Sequence, residues 1–126
     1  MSKSAISTDK APKPAASYSQ AVRAGNLVQV AGQGAGDPTT GKLVGETVGE
    51  QTEQTMQNVA AILEAAGASL DDVVMMRVYL TSRDDFGGMN EVYGRHVSEP
   101  FPARTTVFTG LGAGMLVEID ALAVVS

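Results

Sequence analysis

Cysteine and tryptophan are absent from this 126-residue chain, and histidine occurs once, at His96. Without cysteine there is no disulfide, thiolate metal site or cysteine nucleophile, and one imidazole cannot build a multi-histidine metal centre. Positive charge is also scarce: nine Lys and Arg against fourteen Asp and Glu leave a formal net charge of −5. Lys3, Lys10 and Lys13 cluster at the start and the other cations are scattered, so no basic stripe exists to neutralise phosphates and nucleic-acid binding is not expected. No apolar run approaches a membrane span, and the opening MSKSAISTDKAPKP carries no apolar secretion segment. A cytoplasmic location without membrane contact is the expectation.

What remains is the material for one core. Aromatics amount to three Phe and three Tyr, so Val, Leu, Ile, Met and Ala must fill the interior. Residues 1–16 are polar, small and dotted with Pro, which reads as a flexible N-terminal leader before a single domain over 17–126. Extended runs at about 18–24 and 27–33 are split by Gly25-Asn26, a two-residue hairpin signal. GAGDPTTGKLVG is turn chemistry, with Asp37-Pro38 opening it and Gly41 supplying a positive-φ position. From Val48 the period changes: Val48, Met56, Val59, Leu63 and Ala66 recur at helical spacing until Gly67. A strand at 73–81 follows, then a weaker helix over about 84–97 interrupted by Gly87, Gly88 and Gly94, then strands near 103–109 and 115–124. The order β-β-α-β-α-β-β predicts a two-layer α+β or α/β domain with both helices on one sheet face. The other face is partly apolar and is expected to pack on further subunits.

Two phosphate-binding patterns fail on inspection. Gly36-x-x-x-x-Gly41-Lys42 begins a P-loop, but Leu43 stands where magnesium needs Ser or Thr, and no helix opens there. GQGAGD resembles a dinucleotide loop, but Asp37 occupies the third glycine slot. His96 at the end of the weak helix has no evident chemical partner, and the acidic groups Glu50/Glu53/Glu64 and Asp71/Asp72/Asp84/Asp85 read as solvated faces and helix starts.

Arg104 is less easily dismissed. It opens a β-branched run in EPFPARTTVF, where a permanently charged guanidinium needs partners if buried. Alternation places Arg104, Thr106 and Phe108 on one strand face, and Glu118 with Asp120 on one face of the last strand. These residues suit either a partly buried ion pair or a pocket in which the guanidinium grips a carboxylate while a glutamate orients or deprotonates water. The residues alone leave both open.

At these positions the chain resembles the reactive-intermediate deaminases, the YjgF or Rid family. The resemblance runs from about Ala11 to Val124 through YSQAV, VAGQ, DPTTGKLVG, QTEQTMQNVAAILEAAGASLDDVV, NEVYGRHV, PARTTV and VEIDALAV in order. It implies a chorismate-mutase-like α+β fold, a mixed sheet of about six strands with two helices on one face. It also implies a homotrimer with ligand clefts between subunits. By alternation alone the strands at 103–109 and 115–124 pair as a hairpin; the resemblance instead inserts the strand at 73–81 between them.

The activity so implied is cofactor-free hydrolysis of enamines and imines of the 2-aminoacrylate and 2-iminobutanoate class to a 2-keto acid and ammonia. Carried over by position, Arg104 binds the substrate carboxylate and Glu118 positions the attacking water. Tyr18 and Asn90 line the cleft, Gly32 marks a close backbone approach, and Thr106 stands where many relatives have Cys. Ala31 replaces a frequent Ser, and Ala16-Ser17 a usual Gly-Pro, so the imine preference can differ from that of relatives. The competing expectations are a trimeric binder or sensor of small carboxylates without turnover, and an endoribonuclease, against which the acidic balance argues.

Overall fold

The structure, a computed structural model, describes residues 2–126. Its one mixed sheet contains β1 (Ser4–Ile6), β2 (Ala21–Ala24), β3 (Leu27–Gln33), β4 (Val73–Leu80), β5 (Ala103–Phe108) and β6 (Val117–Val124). Their spatial order is β1-β2-β3-β6-β4-β5. The helix α1 (Val48–Ala65) connects β3 to β4, and α2 (Phe86–Gly94) connects β4 to β5. Neighbours β4 and β5 are parallel, which requires such a crossover, while the other pairings are antiparallel. β4 therefore lies between β5 and β6, and the simple hairpin that alternation suggests does not form.

Local chemistry sets the element ends. Gly25 takes φ 59° in the two-residue loop between β2 and β3, and Asn26 stays at negative φ, the pattern of a II′ turn. Thr47 caps α1 by accepting from the Glu50 amide at 3.1 Å, and the Glu50 carboxylate accepts from the Thr47 amide at 3.1 Å. This reciprocal box satisfies two donors that the first turn leaves free. At the other end Gly67, at φ 80°, donates to Glu64 while Ala68 donates to Leu63, a Schellman closure.

The core lies between the helices and one face of the sheet. Met56, Val59, Ile62 and Leu63 of α1 and Met89 of α2 meet Val28, Val30, Met76, Val78, Leu80 and Ile119, all fully buried. Alternation turns the partners of these strand residues outward, so Leu27, Val107 and Val124 are exposed on the helix-free face.

Three expectations need correction. Residues 2–16 are no loose leader, although Met1 lies outside the described residues. β1 pairs with β2, Ala11 is fully buried, and the buried Gln20 amide donates to the carbonyls of Thr8, Ala11 and Pro12 at 3.1, 3.2 and 2.9 Å. One buried side chain thus fastens a stretch whose own composition is that of a loop. The strand expected from residue 18 begins only at Ala21, because Tyr18 sits in a turn and donates its amide to Ala16. The second helix is also shorter than expected: a 3₁₀ turn over Arg83–Asp85 precedes it, and it ends at Gly94, which puts His96 beyond it.

Candidate active site

Glu118 owes its setting to an irregularity in β3. Val30 pairs with Ala121 but Gln33 pairs with Ile119, so one extra residue is inserted at Ala31-Gly32. Such a bulge bends the strand and frees local space. The Glu118 carboxylate fills that space: a Cβ added to Gly32 would sit 2.5 Å from Glu118 Oε2. Among the described residues no hydrogen bond engages this carboxylate. Burial, and then the neighbouring charge of Asp120, hold the Glu118 pKa above the ordinary glutamate range. Around it opens a cleft of about 530 Å³ lined by Tyr18, Gly32, Met115 and Glu118. The Tyr18 ring is exposed there, and its hydroxyl accepts a long 3.4 Å bond from the Ala15 amide.

The loops that wall this cleft are fixed from α1 by two buried amides that sequence reading overlooked. Gln51 donates to the carbonyls of Gly45 and Gly114 at 3.2 and 3.0 Å and accepts from the Leu116 amide at 2.9 Å. Asn58, two helical turns on, donates to the carbonyls of Gly34 and Gly36 at 3.1 and 2.9 Å. Buried Thr55 lies between them on the same face. The signal that could have found them is polar residues recurring at core spacing, which only loop carbonyls can satisfy.

Arg104 lies in a second cleft, of about 440 Å³, with Asn90, Tyr93, Phe101 and Pro102. Asn90 Oδ1 accepts from its guanidinium at 2.8 Å. Its central carbon stands 4.8 Å from the centroid of the Tyr93 ring and 5.7 Å from that of Phe86. These aromatic faces hold the charge without neutralising it. Burial raises the Tyr93 pKa and the nearby Arg104 guanidinium opposes that rise, while among the described residues no group lies in hydrogen-bonding geometry to the buried Tyr93 hydroxyl. Among the described residues no carboxylate forms an ion pair with Arg104.

The two clefts are on opposite sides of the sheet. Arg104 pairs in register with buried Met76, placing it on the helix side, whereas Glu118 pairs with Tyr79 on the helix-free side. Tyr18, Gly32 and Glu118 are together; Arg104 and Asn90 are together. The single pocket anticipated around Arg104 and Glu118 is therefore absent within one chain, because neighbouring strands project equivalent positions to the same face and these two are out of phase. Thr106 is half-buried on the Arg104 face but does not line its cleft. The ion pair open to Arg104 on sequence grounds belongs instead to Arg77, which donates to Asp120 at 2.8 Å, with the Tyr79 hydroxyl on the other carboxylate oxygen at 2.9 Å. His96 does find a partner, Glu53 at 2.8 Å. Among the described residues no group of three or more His, Asp or Glu could hold a metal ion, and no helix is long and apolar enough to cross a membrane.

Comparison with known proteins shows the family and the fold. The family model described as endoribonuclease L-PSP matches residues 8–125. The chain belongs to the L-PSP family, also called Rid or YjgF. A RutC family protein of Pyrococcus abyssi is 48% identical over 98% of this chain and 98% of its own. The L-PSP relatives include a mouse 2-iminobutanoate/2-iminopropanoate deaminase, 40% identical over 94% of this chain and 89% of the mouse protein. Crystalline RidA from the Antarctic bacterium Psychrobacter sp. superposes with a TM-score of 0.93 at 46% identity, covering 97% and 99% of the two chains. The L-PSP fold is thus that of the mixed six-stranded sheet and two helices described above.

Proposed function

We propose that this L-PSP family member is a hydrolytic deaminase of 2-imino acids, with each site assembled from two copies in a homotrimer. The observation that carries the reading is the unpaired state of both charges. Among the described residues Arg104 is oriented by Asn90 and two aromatic rings yet pairs with no carboxylate, and half-buried Glu118 has no hydrogen-bond partner. They occupy opposite sheet faces, and in this reading the Arg104 cleft of one copy meets the Glu118 cleft of the next. The exposed apolar residues of the helix-free face give such copies a surface to bury. The name of the mouse relative supplies the substrate class.

In this reading the guanidinium fork takes the substrate carboxylate through two parallel hydrogen bonds. Glu118 accepts a proton from water as the new C–O bond forms at C2 of the imine, and hands that proton to the imine nitrogen as the C=N π bond opens. In the resulting carbinolamine the hydroxyl proton passes to the nitrogen, the C–N bond breaks and the C–O bond becomes a carbonyl, giving the 2-keto acid and ammonia. No electrons are exchanged and no cofactor is called for. Much of the acceleration would come from positioning. An RNA substrate, which the family description suggests, is disfavoured by the net charge of −5 and the scattered cations.

The test generates 2-aminoacrylate in situ with a serine dehydratase and follows keto-acid release. Wild-type protein should accelerate release and Arg104→Ala should not. Absence of acceleration by the wild type overturns the deaminase reading, and saturable 2-oxobutanoate binding without turnover would mark a carboxylate binder instead.

A further inference from the structure

Met115 lines the same cleft as Glu118. Met115 Cε lies 2.6 Å from where a Cβ of Gly34 would be, and its Sδ 3.0 Å from where a Cβ of Gly112 would be. The two glycines thus leave room for this side chain, and a methyl on either would make Met115 shift. The backbone on both sides of Met115 is held by the same buried side chain, with Gln51 donating to the Gly114 carbonyl at 3.0 Å and accepting from the Leu116 amide at 2.9 Å. Leu43 closes the mouth from the other loop, its Cδ2 3.1 Å from where a Cβ of Gly114 would be. The wall is completed by Ala35 and Ala113. Tyr18, Glu118, Lys13, Gln20 and Gln33 bring polar groups to the cleft, whereas Met115, Leu43, Ala35 and Ala113 contribute apolar side chains.

From this geometry we infer that Met115 is the specificity-determining residue of the cleft, selecting imines whose side chain is apolar and unbranched. The inference rests on the imine-hydrolysis reading of the same site. A thioether on an unbranched stem adapts to linear apolar groups of varied length, whereas a branched side chain presses on a wall whose backbone Gln51 holds on both sides of Met115. Met115 touches the variable part of the substrate and leaves the reacting carbon to Glu118, so changing it alters the ranking of substrates more than the chemistry. A methylene or two in an apolar pocket commonly shifts relative kcat/KM by about 10- to 200-fold.

The experiment supplies imines of alanine, 2-aminobutyrate, norvaline and leucine with an L-amino-acid oxidase and catalase, and measures the ratio of kcat/KM for each against 2-iminopropanoate. Wild type should favour the linear members over the leucine-derived imine. Met115→Ala should raise the leucine-to-alanine ratio at least about tenfold, and Met115→Leu, which conserves volume, should keep it within about threefold of wild type. An unchanged ratio in Met115→Ala, with 2-iminopropanoate still hydrolysed by the wild type, overturns the inference and leaves the deaminase reading intact. If the wild type hydrolyses no imine, that reading fails, and calorimetry with pyruvate, 2-oxobutanoate, 2-oxopentanoate and 4-methyl-2-oxopentanoate decides the inference by the same ratio in Kd.

Discussion

Gly32→Ala is a small change with a calculable consequence. The new Cβ would stand 2.5 Å from Glu118 Oε2 and 3.0 Å from Cδ, where ordinary contact begins near 3.4 Å. Gly32 does not occupy a positive-φ conformation, so the backbone accepts alanine without strain. The carboxylate is the far end of a flexible side chain and, among the described residues, has no hydrogen bond to keep it in place, so it yields by about 0.9 Å. A misplacement of about 1 Å at a reacting group costs on the order of 100-fold, equivalent to about 2.7 kcal/mol of transition-state stabilisation. Steady-state kinetics on 2-iminopropanoate should therefore show kcat/KM reduced about 100-fold. The melting temperature should stay within a few degrees of wild type, since no core contact is lost. Full activity in Gly32→Ala would refute the placement of Glu118 at the reacting centre.

Two further substitutions probe the separate charges. Arg104→Lys keeps the charge but loses the planar fork and its stacking on Tyr93, so KM for the imine should rise about tenfold or more with the melting temperature unchanged; an unaltered KM would show that the carboxylate is gripped elsewhere. Glu118→Gln should abolish turnover while stabilising the fold. Because the folded-state pKa of Glu118 is raised, its favourable contribution is present below the ordinary glutamate range and is lost as pH rises through the raised value. The gain in melting temperature of Glu118→Gln over wild type should therefore be larger near about pH 7.5 than near about pH 4. A gain that is equal at both values, or larger in acid, would contradict the burial of an uncompensated charge.

The elements that sequence reading placed well were those with local signals. The Gly25-Asn26 hairpin, the long apolar stripe of α1 and its Gly67 end follow from φ preferences and periodicity, which act within a few residues. It failed where a single distant contact decides. Nothing in residues 2–16 announces order, because the order comes from Gln20 and from the pairing of β1 with β2. The position of β4 between β5 and β6 was not readable from alternation and came only through resemblance to a family. Arg104 and Glu118 were both singled out from strand chemistry, but face assignment is relative within one strand. Nothing in either run states how its phase relates to that of the other strand. The Gln51 and Asn58 clamps were hidden for a related reason, since their partners are carbonyls of glycine-rich loops that carry no side-chain signal of their own.

The central claim, that a working site takes Arg104 from one copy and Glu118 from another, is tested most directly by mixing two dead variants. Arg104→Ala and Glu118→Gln subunits, co-expressed in equal amounts and purified as mixed oligomers, each supply what the other lacks. In a ring of head-to-tail contacts a site is intact when its Arg104 comes from the Glu118→Gln copy and its Glu118 from the Arg104→Ala copy. Random assembly makes about a quarter of the sites intact. Imine hydrolysis at about one quarter of the wild-type rate per subunit is the predicted result, and activity no greater than that of the two variants measured apart would contradict it.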